Sequence, residues 1–304
     1  MVPHSSVGRT RGFTLIELLV VLAILGVLSA LVLASVQRVR LAAAKADCQN
    51  RLRQIALASH QYHDTHRQLP PGSTSFGGEF PYLSWLSRLL PYLEQQSLLD
   101  QARLDYVRQP DVWHPPTGHA NLARPLTAFV CPSGDRATGR ALYLTIQPDP
   151  FPVAFTWYVG VSGRDSRAPD GLLFRDSAIR FGQVTDGLSN TLLVGERPPS
   201  SDDRLGWWYA GAGMPNVGGA GDFFLGVSES RDPVLFPMCD SSPQRFRSGS
   251  FTDLCDTLHF WSPHPGGANF ALADGGVRYH RYSAADLIPT LATRASGEVV
   301  PFLD

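Results

Sequence analysis

Proline and glycine are scarce in the first part of this 304-residue chain. No proline lies between Pro3 and Pro70, and only 3 of the 28 glycines precede Pro70. Since both residues interrupt regular secondary structure, their scarcity predicts one long helix in this region. The remaining 23 prolines and 25 glycines lie in residues 70–304, which predicts a body rich in loops and strands.

The chain also lacks an excess of charge, since 26 Lys and Arg residues face 27 Asp and Glu residues. A net charge of −1 gives no basis for a nucleic-acid partner. The sequence contains no phosphate-binding loop with Gly-Lys-Ser/Thr, and no serine or cysteine nucleophile in an elbow motif. We therefore expect no nucleic acid, no cofactor and no enzymatic activity.

Cysteine is scarce too, and no Cys-x-x-Cys pair occurs, which weakens zinc-ribbon and thioredoxin-like interpretations. The four cysteines are Cys48, Cys131, Cys239 and Cys255. An even number suits disulfides outside the cytoplasm, and three pairings are possible. We favour Cys239–Cys255, whose short loop would stabilise the fold by about 3 kcal/mol, together with Cys48–Cys131. Four buried free thiols are the alternative.

A nearly uncharged apolar run follows the N-terminal arginines Arg9 and Arg11 and extends to Gln37. About 20 helical residues span a bilayer core of about 30 Å, so residues 13–36 are long enough to form a transmembrane helix. Only Glu17 interrupts the run. Near the membrane centre a carboxylate costs roughly 2.5–3.5 kcal/mol, so Glu17 is expected to have a function and a partner.

The stretch Gly12-Phe13-Thr14-Leu15-Ile16-Glu17, with the apolar run directly after it, resembles the signal of type IV prepilins and pseudopilins. The resemblance implies that a prepilin peptidase cuts between Gly12 and Phe13 and methylates the new N-terminus at Phe13. Residues 1–12 would then be a leader. It also implies that Glu17 meets the N-terminal amine of a neighbouring subunit, an opposite charge that stabilises a carboxylate in low dielectric.

The orientation in the membrane does not follow from charge alone, because arginines lie on both sides of the apolar run. The resemblance implies a cytoplasmic leader. It therefore implies a single-pass protein of the inner membrane, with its C-terminal domain outside the cytoplasm or in a surface filament. A conventional secretory signal is the alternative, since Ala34-Ser35 or Ala42-Ala43-Ala44 offers a cleavage site.

Residues 37–68 are expected to continue the helix and pack on the body, because helix formers predominate there. One face repeats at helical spacing and should be buried: Cys48, Leu52, Ile55, Ser59 and Tyr62. Three residues lie off this face and should be solvated: Arg51, Arg53 and His60.

Residues 69–304 are expected to form one globular α+β domain. Residues 83–96 are amphipathic and predict a second helix, interrupted at Pro91. Residues 127–133, 154–161 and 191–196 are rich in β-branched and aromatic side chains and predict strands. The fold class is therefore α+β, with a long N-terminal helix against a β-rich head, as in the pilin architecture that the chain resembles.

Two aspartates, Asp170 and Asp186, are the candidates for a metal site. Calcium takes six to eight oxygen ligands, and Asp186 lies in the turn Thr185-Asp186-Gly187. No EF-hand spacing is present. We favour plain turn chemistry at these positions and expect no metal.

The C-terminal segment 264–280 is expected to form a hairpin, because Asp274-Gly275 favours a two-residue type I′ turn. It resembles the His-(nine residues)-Asp-Gly element of a large bacterial family that joins a prepilin-type N-terminus to a domain of unknown function. Other stretches also match that family: Cys48-Gln49-Asn50-x-Leu52, Thr185-Asp186-Gly187-x-Ser189-Asn190-Thr191 and Leu291-Ala292-Thr293-Arg294-x-x-Gly297-Glu298.

His264, Asp274 and Gly275 are assigned structural roles in this element. We expect His264 to anchor the loop through a hydrogen bond to the backbone. Two alternatives remain open for His264: metal binding together with His259 and His280, or a catalytic pair with Asp274.

The sequence thus predicts a pilin- or pseudopilin-like envelope protein of a type II secretion or type IV pilus-like system. It would assemble with other pilin-like subunits through its N-terminal helix. The alternative is a membrane-tethered domain outside the cytoplasm that binds a sugar or a metal, or hydrolyses a substrate, and uses the prepilin signal only for export and anchoring. The large body is the reason to keep this alternative.

Overall fold

The fold was obtained from a computed structural model, which describes residues 14–112, 118–134, 136–143, 147–214 and 218–298. The chain divides into two units, Met1–Ala43 and Ala44–Asp304. Helix α1 (Leu15–His66) begins in the first unit and ends in the second. The long helix predicted from the scarcity of proline is therefore confirmed, and so is the α+β fold class.

The described part of the first unit is an apolar helix. Every described side chain from position 14 to 43 is exposed. Ser35 satisfies its hydroxyl within the helix, because Oγ donates to the carbonyls of Leu31 and Val32 at 2.8 and 3.0 Å. Such back-bonding lets the Ser35 hydroxyl lie on an apolar surface without an unsatisfied donor.

The second unit is built on a five-stranded sheet with the order β5-β3-β4-β8-β9. The pairs are antiparallel except β3 with β5, which is parallel. Two ribbons of two strands, β1-β2 and β6-β7, accompany it. The strands are β1 (Thr138–Tyr143), β2 (Gln147–Ala154), β3 (Tyr158–Gly163), β4 (Leu192–Glu196), β5 (Phe224–Gly226), β6 (Ser228–Glu229), β7 (Gln244–Arg245), β8 (Gly267–Leu272) and β9 (Val277–Arg281).

The centre of the sheet is covered on both faces, since every residue of β3, β4 and β8 is buried. The second-unit part of α1 is packed too. The face predicted from helical spacing is confirmed, because Cys48, Leu52, Ile55, Ser59 and Tyr62 are all buried. Arg53 is exposed as expected.

The expected second helix over residues 83–96 is wrong in detail. The chain there forms α2 (Trp85–Arg88), a 3₁₀ turn (Leu90–Leu93) and then α3 (Gln96–Arg108). Pro91 lies in the 3₁₀ turn, and Glu94, with φ of 60°, ends it in the left-handed conformation. Residues 127–133 are also not a strand, since Thr127–Phe129 is a 3₁₀ turn. A last short helix, α4, spans Ile288–Leu291.

The turn of the β8–β9 hairpin differs from the type I′ turn that was expected. The Gly275 amide donates to the Leu272 carbonyl at 3.0 Å, and the Leu272 amide donates to the Gly276 carbonyl at 2.8 Å. A type I′ turn needs positive φ at both central residues, yet Gly275 has φ of 87° and Asp274 has a negative φ. The loop is therefore three residues long, with the glycine in the left-handed position of a bulge.

Candidate functional site

The cleavage site predicted at Gly12 and Phe13 lies outside the described residues. The described chain starts at Thr14, which caps α1 together with Glu17. The Glu17 carboxylate accepts hydrogen bonds from the Thr14 amide (2.9 Å) and from the Thr14 hydroxyl (2.7 Å). In return the Glu17 amide donates to Thr14 Oγ1 at 3.3 Å. This reciprocal arrangement is a capping box, which the sequence analysis did not identify although the Thr-x-x-Glu spacing signals it.

The position of Glu17 has an electrostatic consequence. The first amides of a helix have no partner within the helix, and the helix dipole places partial positive charge at this end. The carboxylate of Glu17 is therefore stabilised by the start of its own helix. By length and composition, α1 contains a stretch apolar enough to cross a membrane, with Glu17 near its N-terminal end.

A second group of functional candidates lies in the core of the second unit, around Glu196 at the end of β4. Its carboxylate accepts from the backbone amide of Asn269 at 2.7 Å and from the Asn269 side-chain amide at 3.0 Å. The Nε2 atom of His264 lies 3.3 Å from the same carboxylate. Both side chains are only 2% exposed, so water does not screen this pair.

The imidazole of His264 also contacts the Cys48–Cys131 disulfide. Its Nε2 lies 3.7 Å from Cys131 Sγ, and its Nδ1 lies 3.5 Å from Ser133 Oγ. The ring partners are thus side chains and not the backbone group that was expected. The backbone amide of His264 is fixed separately, because it donates to Ser262 Oγ at 3.2 Å.

Two residues of α1 tie this cluster to the helix. The side-chain amide of Gln49 donates to Asn269 Oδ1 at 3.0 Å. The Arg51 guanidinium donates to the Thr127 carbonyl at 2.6 Å and also to the Val130 carbonyl, directly before Cys131. Arg51 was expected to be solvated, but its guanidinium is instead bonded to these two backbone carbonyls. His60 is not free either, since its Nε2 donates to the Ala273 carbonyl at 2.8 Å.

We call Cys48, Cys131, Glu196 and His264 the buried cluster. One possible ligand atom from each residue lies within 4.8 Å of the others, and among the described residues this is the one group of that kind. Glu196 lies far from His264 and from the cysteines in the chain, and Asn269, although it follows His264 closely, lies inside an apolar strand, so the sequence singled out neither residue. In the sequence, each of them is marked only as a polar residue within an otherwise apolar strand.

Asp274, His259 and His280, the other partners considered for His264, have different environments in the fold. Asp274 is exposed at the hairpin turn, where its Oδ1 accepts from the Gly276 amide, whereas His264 is buried. His259 pairs with Asp256 at 2.8 Å. Burial lowers the pKa of His280 to about 4, so its ring is neutral at physiological pH.

The two candidate calcium ligands have other partners. The carboxylate of Asp170 accepts from the Arg164 amide and from its guanidinium, both at 2.8 Å. Asp186 accepts from the amides of Ser296 and Gly297, both at 2.8 Å. Asp186 thus fastens the C-terminal segment to the turn that follows Val184. Neither Asp170 nor Asp186 is part of the buried cluster.

The structure contains two disulfides, Cys48–Cys131 and Cys239–Cys255, the same pairs that the sequence analysis favoured. The first closes a span of 83 residues and lies against the buried Trp157. The second closes a span of only 16 residues, and it joins the segment after β6 to the 3₁₀ turn Leu254–Leu258.

A further buried carboxylate, Glu229 in β6, gives the head a pH dependence. It accepts from the Gly226 amide at 2.6 Å and from the Ser166 hydroxyl at 2.7 Å. Burial, assisted by the negative charge of Asp165, raises the pKa of Glu229 to about 7, and the donors from Ser166 and Gly226 act in the opposite direction. The folded state therefore holds this proton to a higher pH than the unfolded chain does.

The linkage between proton binding and folding gives the sign of the effect of pH on stability. Between pH 4.5 and 7 the unfolded chain loses the proton of Glu229 while the folded state keeps it, so stability falls as pH rises, by roughly 3 kcal/mol in all. We expect Glu229→Gln to match the wild type at pH 4 and to be more stable by about that amount at pH 8. Urea unfolding followed by tryptophan fluorescence measures both.

The exposed Glu79 provides the matched control. Glu79→Gln should leave the pH dependence of stability as it is in the wild type. Equal pH profiles for the wild type and Glu229→Gln would show that Glu229 ionises normally in the fold.

Comparisons with known proteins give two findings. A family model described as a protein of unknown function (DUF1559) matches residues 37–287, which includes every residue of the buried cluster. A model of the prokaryotic N-terminal methylation motif matches residues 8–33, which includes the capping box. No curated protein and no solved structure matches the chain significantly.

Proposed function

The chain belongs to the family of proteins of unknown function DUF1559 and begins with a prokaryotic N-terminal methylation motif, and from this premise we propose that it is a pilin-like subunit that assembles through its N-terminal helix. The motif makes it a type IV pilin-like protein that is processed by a prepilin peptidase and associates with the membrane as a single-pass anchor.

The observation that carries the proposal is the uniform exposure of the first unit. Every described side chain from position 14 to 43 is exposed, and most of them are apolar. A helix that is apolar on all sides is stable only when lipid or other apolar helices surround it. A bilayer covers the helix in the membrane-bound state, and helices of neighbouring subunits would cover it in an assembly.

Glu17 supplies a means of setting the register between neighbours. Cleavage after Gly12 would create a positively charged amine at Phe13. In an assembly, the amine of one subunit would replace part of the hydrogen bonding that Thr14 gives to Glu17 in the isolated chain. A charge-assisted contact in low dielectric is worth more than one in water, so a single axial offset would be preferred.

The two disulfides support a location of the second unit outside the cytoplasm, because disulfides persist in oxidising compartments. This location agrees with a cytoplasmic leader. We propose that the assembly belongs to a type II secretion or type IV pilus-like system of the cell envelope, with other pilin-like subunits as partners. The chain has no catalytic role in this proposal.

A cleft favours a second candidate function, a membrane-tethered binding domain. The cleft has a volume of about 270 Å³ and lies between the end of α1 and the start of α3. Its lining includes Tyr62, Tyr92, His66, Arg88 and Arg103. Aromatic rings beside guanidinium groups suit an acidic sugar. In this alternative the chain is processed and anchored but remains a monomer.

Processing and assembly are tested on the protein isolated from envelopes of the cells that make it. Mass spectrometry should give an N-terminus at Phe13 carrying one methyl group. Cross-linking before solubilisation should then give oligomers held through the N-terminal segment. An N-terminus at Met1, or beyond Ala34, would refute the processing, and a processed chain that stays monomeric would favour the binding domain.

A further inference from the structure

We infer that the buried cluster binds one Zn²⁺ ion when its disulfide is reduced, with Cys48, Cys131, His264 and Glu196 as the four ligands. The cluster then has two alternative closed states, a disulfide or a zinc site. This inference does not depend on the proposed assembly, because all four residues lie in the second unit.

The distances fit tetrahedral coordination. Zinc binds histidine nitrogen at about 2.0–2.1 Å and thiolate sulfur at about 2.3 Å, so neighbouring ligand atoms are about 3.4–3.8 Å apart. His264 Nε2 lies 3.7 Å from Cys131 Sγ and 3.3 Å from Glu196 Oε1. Two edges of the tetrahedron are therefore already formed. The other ligand atoms lie within 4.8 Å of one another, and reduction lets the two sulfurs separate to the distance of about 3.8 Å that zinc requires.

The donor set selects the metal. Two thiolates, one imidazole and one carboxylate suit Zn²⁺, whereas calcium and magnesium require oxygen ligands. Four protein ligands leave no open position for water or substrate, which is typical of structural zinc sites and not of catalytic ones. All four side chains are buried, so the surrounding protein closes the site.

The groups around the cluster already orient its ligands. Asn269 fixes the Glu196 carboxylate with two hydrogen bonds, and Gln49 fixes Asn269 in turn. Ser133 Oγ lies on the Nδ1 side of His264, which leaves Nε2 directed at the sulfur and the carboxylate. Outer contacts of this kind hold the tautomer and the ring orientation of a metal-binding histidine.

The charge of the site is nearly balanced. Zn²⁺ with two thiolates and one carboxylate carries a net charge of −1. The ammonium of Lys45, the only lysine of the chain, lies 3.1 Å from the centre of the Tyr279 ring and interacts electrostatically with Glu196. A nearby positive charge reduces the cost of burying the remaining negative charge.

Electrons and protons balance in the exchange between the two states. A dithiol reductant gives two electrons and two protons to the Cys48–Cys131 disulfide and itself becomes a disulfide. Cys48 and Cys131 are then thiols. Zn²⁺ binding displaces one proton from each thiol into solvent, and both sulfurs coordinate as thiolates. The neutral imidazole of His264 then carries its proton on Nδ1, beside Ser133 Oγ, so that Nε2 coordinates through its lone pair.

The test uses the full chain in detergent micelles, reduced with a phosphine and desalted without oxygen. Titration with Co²⁺ should give one ion per chain, with the visible bands of tetrahedral cobalt and a thiolate-to-cobalt band in the near ultraviolet. Zn²⁺ should displace the cobalt. The oxidised protein should show neither signal.

The second disulfide provides the matched control, because reduction opens it too. Cys239→Ser/Cys255→Ser should keep the cobalt spectrum, and Cys48→Ser/Cys131→Ser should lose it. Asn269→Ala, which removes one contact to a ligand, should weaken Zn²⁺ binding about 10- to 100-fold.

Three results would overturn the inference. The first is a reduced, folded wild type that takes up no Co²⁺. The second is a cobalt spectrum that survives in Cys48→Ser/Cys131→Ser or disappears in Cys239→Ser/Cys255→Ser. The third applies if reduction unfolds the chain, as judged by circular dichroism. Zn²⁺ should then restore the fold, and a reduced chain that stays unfolded with Zn²⁺ contradicts a closed metal site.

Discussion

Glu17→Ala is expected to abolish assembly while leaving cleavage after Gly12 intact. The variant keeps the apolar helix and the leader, so the peptidase and the membrane meet the same segment. It removes the one carboxylate of the apolar run, and with it the partner that we propose for the N-terminal amine of the neighbouring subunit. The buried amine would then be left without a counter-charge, which is strongly unfavourable in low dielectric.

The experiment separates the two steps. Mass spectrometry should give the same methylated Phe13 terminus in wild type and variant, and cross-linking in the envelope should give oligomers only in the wild type. Glu79→Ala, at an exposed position of the head, is the matched control and should assemble normally. A processed Glu17→Ala chain that still forms oligomers would refute the assembly mechanism.

Removal of the Cys48–Cys131 disulfide is expected to cost more stability than removal of Cys239–Cys255. In the chain-entropy model a closed loop of 83 residues stabilises the fold by about 4.5 kcal/mol, and one of 16 residues by about 3 kcal/mol. The first bond also joins α1 to the segment that carries Val130 and Ser133, next to the buried Trp157. Its loss therefore loosens the attachment of α1 in the folded state. It also removes a constraint on the unfolded chain.

The comparison needs two double variants of the oxidised full chain, Cys48→Ala/Cys131→Ala and Cys239→Ala/Cys255→Ala. All six tryptophans lie beyond position 84, so their fluorescence during urea unfolding reports on the second unit alone. The first variant should lose about 1.5 kcal/mol more than the second. Equal losses, or a larger loss in the second variant, would show that loop length does not govern these bonds.

The parts of the fold that follow from short-range patterns were predictable. A proline-free segment of helix formers gave α1, and its helical spacing identified the buried face with Cys48 and Tyr62. Helix α3 was missed because it is mostly polar and only a narrow face is buried, including Leu98 and Tyr106. Tertiary packing stabilises such a helix more than its own propensity does.

The hairpin turn shows a different limit. Asp-Gly is compatible with a type I′ turn and also with a type I turn followed by a left-handed glycine. Strand register decides between them. Here Ala271 pairs with Val277, and three residues are left for the loop after the bonds between Leu272 and Gly276. Register depends on which residues the sheet buries, which the two turn residues do not encode.

The buried cluster could not be predicted from spacing. His264 and Asp274, which belong to one motif, suggested a pair, but the actual partner of His264 is Glu196 in β4. Five separate segments supply the groups around it, from Gln49 to Asn269. Only the strand order β4-β8 brings Glu196 and Asn269 together. Sequence motifs identified several of these segments but not their contacts.

The place of the first disulfide in the chain decides how mechanical load would pass through the protein. Tension applied to the first unit enters the second at Ala44, and four residues later it reaches Cys48. There the covalent bond to Cys131 offers a path that bypasses the 83 residues between them. The end of α1, the cleft and α3 lie inside this bypassed loop. A pull strong enough to break hydrogen bonds would therefore leave that part of the head unloaded.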